Sequence, residues 1–145
     1  MPSTADPAAT VFFRLSIDGR DLGLFHGCDG LASEVQVEQH EEGGNNSFVW
    51  QLPTRVTFSN IRLTRPLTAD TVKVASWISS IATGIQRPTA QIAALRADLS
   101  VVAQWGLVEV LPVRWTGPSL NPGQAGVAEE ELEIAHHGFT DAGGR

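Results

Sequence analysis

Residues 110 to 121 read Val-Leu-Pro-Val-Arg-Trp-Thr-Gly-Pro-Ser-Leu-Asn, and an acidic, alternating segment follows them. The β-branched and aromatic residues favour an extended chain, Pro112 interrupts its pairing, and Gly117-Pro118 stops it. The stretch therefore predicts a bent edge strand rather than a helix. It offers no nucleophile beside a base, no metal cluster and no phosphate loop, so chemistry is not where the function is expected.

The rest of the chain agrees with a β-rich reading. A length of 145 residues suits one domain with a real core, and 14 Gly and 8 Pro favour short elements joined by turns. A formal net charge of −6 with no basic run argues against a nucleic-acid or anionic-membrane surface, because such surfaces are built from clustered Lys and Arg. Cys28 is the single cysteine, which rules out an intramolecular disulfide and a thiolate zinc site within one chain. Residues 1 to 10 lack a basic start and an apolar core, and no stretch has the length of a membrane span. The expectation is a soluble protein made in the cytoplasm, with no membrane binding of its own.

Taken in order, residues 1–10 read as a flexible arm, 11–139 as a single domain and 140–145 as a loose tail. Phe13, Leu15 and Ile17 alternate with polar residues up to the turn signal Asp18-Gly19, and Leu22 to Phe25 is the hairpin partner. Gly27, Asp29 and Gly30 break the chain before a third strand, in which Val35 and Val37 alternate with Glu34, Gln36 and Glu38. A long hairpin tip is predicted around 40–48, where Gly43, Gly44, Asn45, Asn46 and Ser47 tolerate unusual backbone angles. The inward parity changes between Phe58 and Ile61, which predicts a β-bulge near Ser59 and Asn60.

Val74, Trp77, Ile78 and Ile81 form one apolar stripe and predict a helix around 68–82, with Thr68 as N-cap and Gly84 as stop. Local propensity weakly favours a helix within residues 89–99 as well, through the run Ala-Gln-Ile-Ala-Ala-Leu-Arg-Ala. Strand character returns from Val101 and leads into the opening stretch. In the last strand Glu129, Glu131 and Glu133 share one face while Leu132 and Ile134 share the other, with Glu130 out of place.

Candidate sites were weighed against plainer roles. His136 and His137 are adjacent on an extended chain, so they face opposite ways and do not chelate one ion. Cys28 reads as a small buried hydrophobe. The spacing of Gly19, Gly23, Gly27 and Gly30 does not match a dinucleotide loop. Trp77 reads as core, and Trp115 as a packing anchor or a subunit contact. No catalytic, cofactor or metal residue is assigned, and a non-enzymatic role is expected.

These signatures, in order, resemble the tail tube proteins of contractile phages and of phage-tail-like contractile injection systems. The likeness runs from Phe12 to Gly138: Asp18-Gly19; Cys28-Asp29-Gly30-Leu31; Glu42-Gly43-Gly44 before Leu52-Pro53; Asn60 to Arg65; Trp77; Leu111 to Asn121; and Glu131 to His136 with Gly138. Thr54 and Pro66 stand where the family often has Gly. The resemblance implies two packed antiparallel sheets forming a barrel-like sandwich with one flanking helix. It also moves Ala90 to Leu95 from helix to strand, with a turn at Arg96 to Asp98.

For function, the resemblance implies homo-hexameric rings stacked into a tube, with sheath and baseplate components as partners and cargo or DNA passing without specific binding. The tip at Gly43 to Ser47 would reach the next ring. Glu129, Glu131 and Glu133, with Glu34, Gln36 and Glu38, are candidates to face the lumen. The alternatives are a first-ring paralogue at the baseplate and a small soluble β-domain that binds a ligand or protein partner through its aromatic strands.

Overall fold

The computed structural model describes residues 10–40, 49–84, 88–118 and 128–140. Among them the chain is mainly β with one helix, arranged as three antiparallel sheets.

The first sheet is built on the hairpin of β1 (Phe12–Ile17) and β2 (Arg20–Phe25). Asp18 (φ 52°) and Gly19 (φ 83°) both have positive φ, the requirement of a tight turn whose twist matches its strands. β7 (Ala90–Leu95), β8 (Val101–Leu107) and the short β11 (Phe139–Thr140) complete it in the order β11-β8-β7-β1-β2. β7 is the clearest case of tertiary structure overriding helix propensity. It pairs with β1 on one side and β8 on the other, and five of its six residues are buried. Its small Ala93 and Ala94 let neighbours close over both faces. The sheet also takes in Thr140, which the sequence assigned to the tail.

The second sheet runs β3-β6-β10-β9, from β3 (Gly27–Asp29), β6 (Ile61–Pro66), β10 (Glu129–Ala135) and β9 (Leu111–Thr116). Gly27 to Asp29, expected as a break, pairs instead with Arg62 to Thr64. β9 is an edge strand, as the opening stretch predicted. Its register against β10 steps from Glu133↔Arg114 to Ile134↔Pro112, so Val113 is the extra residue of a bulge beside the proline that cannot donate. β8 and β9 belong to different sheets, and the chain crosses between them at Val108 to Val110.

Helix α1 (Thr71–Ile81) is shorter at its start than expected, and its N-cap is Asp70, not Thr68. Thr68 instead accepts the Asp70 N–H through its hydroxyl at 3.1 Å, a turn that precedes the helix. Val74 and Trp77 are buried, and Ile78 packs beside them. They join Leu15, Ile17 and Phe25 of the first sheet and Ile61, Leu63, Leu132 and Ile134 of the second in one core.

The third sheet is a two-stranded ribbon of β4 (Ser33–His40) and β5 (Trp50–Phe58). No bulge occupies Ser59-Asn60. The parity changes there because β5 ends in the ribbon and β6 begins in the second sheet, so the two residues are a link between sheets. The ribbon's own bulge lies at Thr54, where pairing steps from Gln36↔Arg55 to Val37↔Pro53. Gly30, at φ 98°, lets the chain pass the Asn60 backbone where β4 leaves the domain.

Candidate functional site

The ribbon departs most from the sequence reading. Alternation predicted that its valines were buried, yet Val35, Val37 and Val56 are 51%, 52% and 52% exposed. Cross-strand pairing places Val35 opposite Val56 and Val37 opposite Pro53, a continuous apolar face that begins at Phe58. The other face carries Glu34, Gln36 and Glu38 against Thr57, Arg55 and Leu52. Among the described residues the core covers neither face. The candidate tip residues Gly43 to Ser47 lie outside the described residues, between the ends of these two strands.

Glu129, Glu131 and Glu133 occupy the outward face of β10, but they are not a bare acidic stripe. Glu129 meets His26 Nε2 at 2.7 Å, and Glu133 accepts from Asn60 Nδ2 at 2.9 Å. Arg62 and Arg114 flank Glu133 on the two neighbouring strands, and Thr64 and Thr116 flank Glu131. Arg62 also donates to Asp29 at 2.8 Å, and this bond and charge hold the Asp29 carboxyl below the usual range. The face alternates in sign across the strands while keeping a carboxylate excess.

The residue out of place in that strand proves to be a hub. Glu130 lies opposite Arg65 in register, and both side chains are enclosed, at 0% and 1% exposure. Arg65 Nε donates to Glu130 Oε2 at 2.9 Å and Nη1 donates to the Leu22 carbonyl at 2.7 Å, with the guanidinium 4.1 Å from the centre of the Phe25 ring. The Thr71 hydroxyl donates to the same carboxylate oxygen at 2.5 Å, and the Trp115 indole donates to Oε1 at 2.7 Å. One carboxylate thereby ties together β6, β10, α1 and the edge strand β9. Both residues sit at the inward parity of apolar strands with opposite charges, which was the signal available in the sequence.

Trp77 is 4% exposed in the core, whereas Trp115 is 39% exposed and held by its indole bond. Beside Trp115, Pro112, Val113 and the α1 residues Ala75 and Ile78 line an open groove of about 320 Å³. Cys28 packs against the core, and burial, then the Asp29 charge, push its thiol up to about 11, far from an activated nucleophile. His136 is buried and His137 exposed, so the pair does face opposite ways. Among the described residues no group of three or more His, Cys, Asp or Glu is placed to hold a metal, and no helix is long and apolar enough to cross a membrane.

Residues 9–140 match the model of the family described as T4-like virus tail tube protein gp19. The chain belongs to that tail tube family. The tail tube fold recurs in solved structures. A chain of the PVC extracellular contractile injection system sheath-tube complex in the extended state superposes with a TM-score of 0.79 at 17% identity, covering 94% of this chain and 91% of that one. A chain of the anti-feeding prophage baseplate gives 0.72 at 23% identity, covering 97% and 96%. One from the cap that terminates the anti-feeding prophage tube gives 0.79 at 17% identity, covering 97% and 93%. Comparison with curated proteins finds no match. Proteins of the tail tube family are structural.

Proposed function

We propose that this tail tube protein is the repeated inner tube subunit of a contractile injection particle or phage tail, closing into hexameric rings that stack around a channel. The observation that carries this reading is the apolar face of the β4–β5 ribbon, exposed on a chain that has a complete core without it. Covering each half-exposed valine contributes roughly 1 kcal/mol, half of the value for full burial, and a closed ring repeats that gain at every contact. A neighbouring copy is the natural cover, because a ring supplies identical surfaces and pairs strand edges that otherwise invite open-ended association.

With the valine face on the neighbour, Glu34, Gln36 and Glu38 face away from it and towards the lumen. Glu129, Glu131 and Glu133 continue that polar surface, where a carboxylate excess repels nucleic acid and acidic cargo and limits sticking. Gly43 to Ser47 then reach the next ring. Sheath and baseplate components are the external partners, a reading supported by the sheath-tube and baseplate assemblies in which similar chains occur. The role is mechanical rather than catalytic: sheath shortening drives a rigid tube forward.

Electron microscopy of the purified chain tests this. Rings or tubes are expected for wild type, a folded monomer for Val37→Glu, and unstacked rings on deletion of 43–47. Intact rings in Val37→Glu would overturn the ribbon's role, and a wild-type monomer at high concentration would overturn the tube reading itself.

A further inference from the structure

The two histidines at the end of β10 have no part in the tube reading, yet one of them sits where the ribbon joins the domain. His136 is buried, and its ring lies between Phe58, the last residue of the ribbon, at 5.4 Å, and Phe139 of β11 at 5.0 Å. Phe58 and Phe139 also meet each other edge to face at 5.7 Å. This three-ring cluster is the apolar contact that anchors β5 before the chain turns into β6.

The hydrogen bonds of the imidazole suit its neutral form. The Gly138 N–H donates to Nδ1 at 3.2 Å, a contact that a neutral ring with its proton on Nε2 accepts. Nε2 is buried without a hydrogen-bond partner, and the Gly138 and Ser59 backbone offsets only part of what burial costs the charged form. A second proton would go onto Nδ1, where it displaces the Gly138 N–H and leaves only the Gly138 carbonyl, at 3.4 Å, as acceptor. Among the described residues no carboxylate compensates. Phe58, Ser59 and Asn60 on the ribbon side and Phe139 on β11 carry no charge. Glu133, on the same strand, is outward and engaged by Asn60. Glu109, on the β8–β9 connection, is taken by His137, whose Nδ1 lies 2.9 Å from its carbonyl and 3.8 Å from Oε2.

We propose that His136 is an acid-sensitive latch: neutral, it holds the root of the β4–β5 ribbon to the domain, and protonated, it releases that root. Its consequence for rings rests on the assembly role proposed above, whereas the latch itself stands on the geometry of one chain. Burial first, and then the neighbouring His137, lower the proton affinity of His136 from its ordinary value near 6.5. The unlatched or unfolded chain then binds the proton more tightly than the closed one. The latch is therefore fully effective above the ordinary value, and weakens as pH falls through it towards the depressed one. Every tenfold of proton affinity lost on closure returns as a tenfold loss of closure at low pH.

Hydrogen exchange of β4 and β5 amides, corrected for intrinsic rates, at about pH 7.5 and about pH 5 tests the latch on the full chain. Exchange near Phe58 should speed up several-fold at the lower pH in wild type and in His137→Asn, and should not change with pH in His136→Phe. A response that persists in His136→Phe, or is absent in wild type, overturns the proposal. If His136→Phe fails to fold, NMR of wild type decides. The ribbon amides must titrate with the midpoint of the His136 Cε1 proton, and a separate midpoint refutes the latch. Sedimentation at both pH values separates the two readings: no rings at either pH with a responsive root refutes the ring assignment alone, and rings with an unresponsive root refute the latch alone.

Discussion

Replacing Glu130 with Leu should be among the most damaging single changes in the domain that leave the ribbon untouched. The substitution removes the only counter-charge, among the described residues, within hydrogen-bonding distance of an Arg65 side chain that is 1% exposed, and it leaves the Thr71 hydroxyl and the Trp115 indole without this acceptor. Breaking a buried ion pair on one side costs about 3–5 kcal/mol, because the surviving charge stays desolvated. Against a total stability of about 5–15 kcal/mol this brings the domain close to unfolding at room temperature. Arg65→Met combined with Glu130→Leu removes both charges and should recover most of the loss, with a coupling energy of about 2 kcal/mol or more in the double-mutant cycle. Urea unfolding followed by far-UV circular dichroism, at concentrations where no rings form, gives all four stabilities without a contribution from assembly. A loss below about 1 kcal/mol for Glu130→Leu, the size of an exposed pair, would refute the reasoning. So would a double variant no more stable than the single one.

Trp77→Ala empties a position that is 4% exposed and should cost about 3–5 kcal/mol in the same assay, with no change in any surface contact. The Cys28 thiol, pushed up to about 11, should react with a thiol-specific alkylating reagent at pH near 8 at roughly a hundredth of the rate of an unshifted cysteine. Denaturant should restore the ordinary rate. Gly30→Ala places a methyl group against the Asn60 carbonyl at a backbone angle that L-residues rarely adopt, and should cost about 1–3 kcal/mol by thermal melting.

Much of the fold was legible because the residues carrying it repeat. The alternation in β1 and β10, the turn at Asp18-Gly19 and the stripe on α1 each state their element directly. What failed did so for reasons particular to each element. The start of α1 was misplaced because Thr68 has the chemistry of a cap but spends its hydroxyl on a turn three residues before the first helical one. β7 was legible only through resemblance, since Ala-Gln-Ile-Ala-Ala-Leu favours a helix until neighbouring strands claim both of its edges. The pairing of Glu130 with Arg65 joins residues far apart in sequence. Parity marked Glu130 as misplaced without naming its partner.

The ribbon shows a deeper limit of pattern reading. Alternation reports that one face of a strand is meant to leave water, but it does not say what will cover that face. In β1 the cover is α1 and the second sheet, whereas for Val35, Val37 and Val56 the core of the described residues supplies none. The same period of two therefore marks a covered face in one strand and an exposed one in another. The distinction becomes visible only when the closed core is subtracted from the apolar inventory. The Thr54 bulge beside Pro53 sharpens the argument: it keeps Pro53 on the valine face after the proline has broken the regular ladder. A ribbon bound for solvent has no need to preserve that continuity, whereas one bound for a neighbouring subunit does.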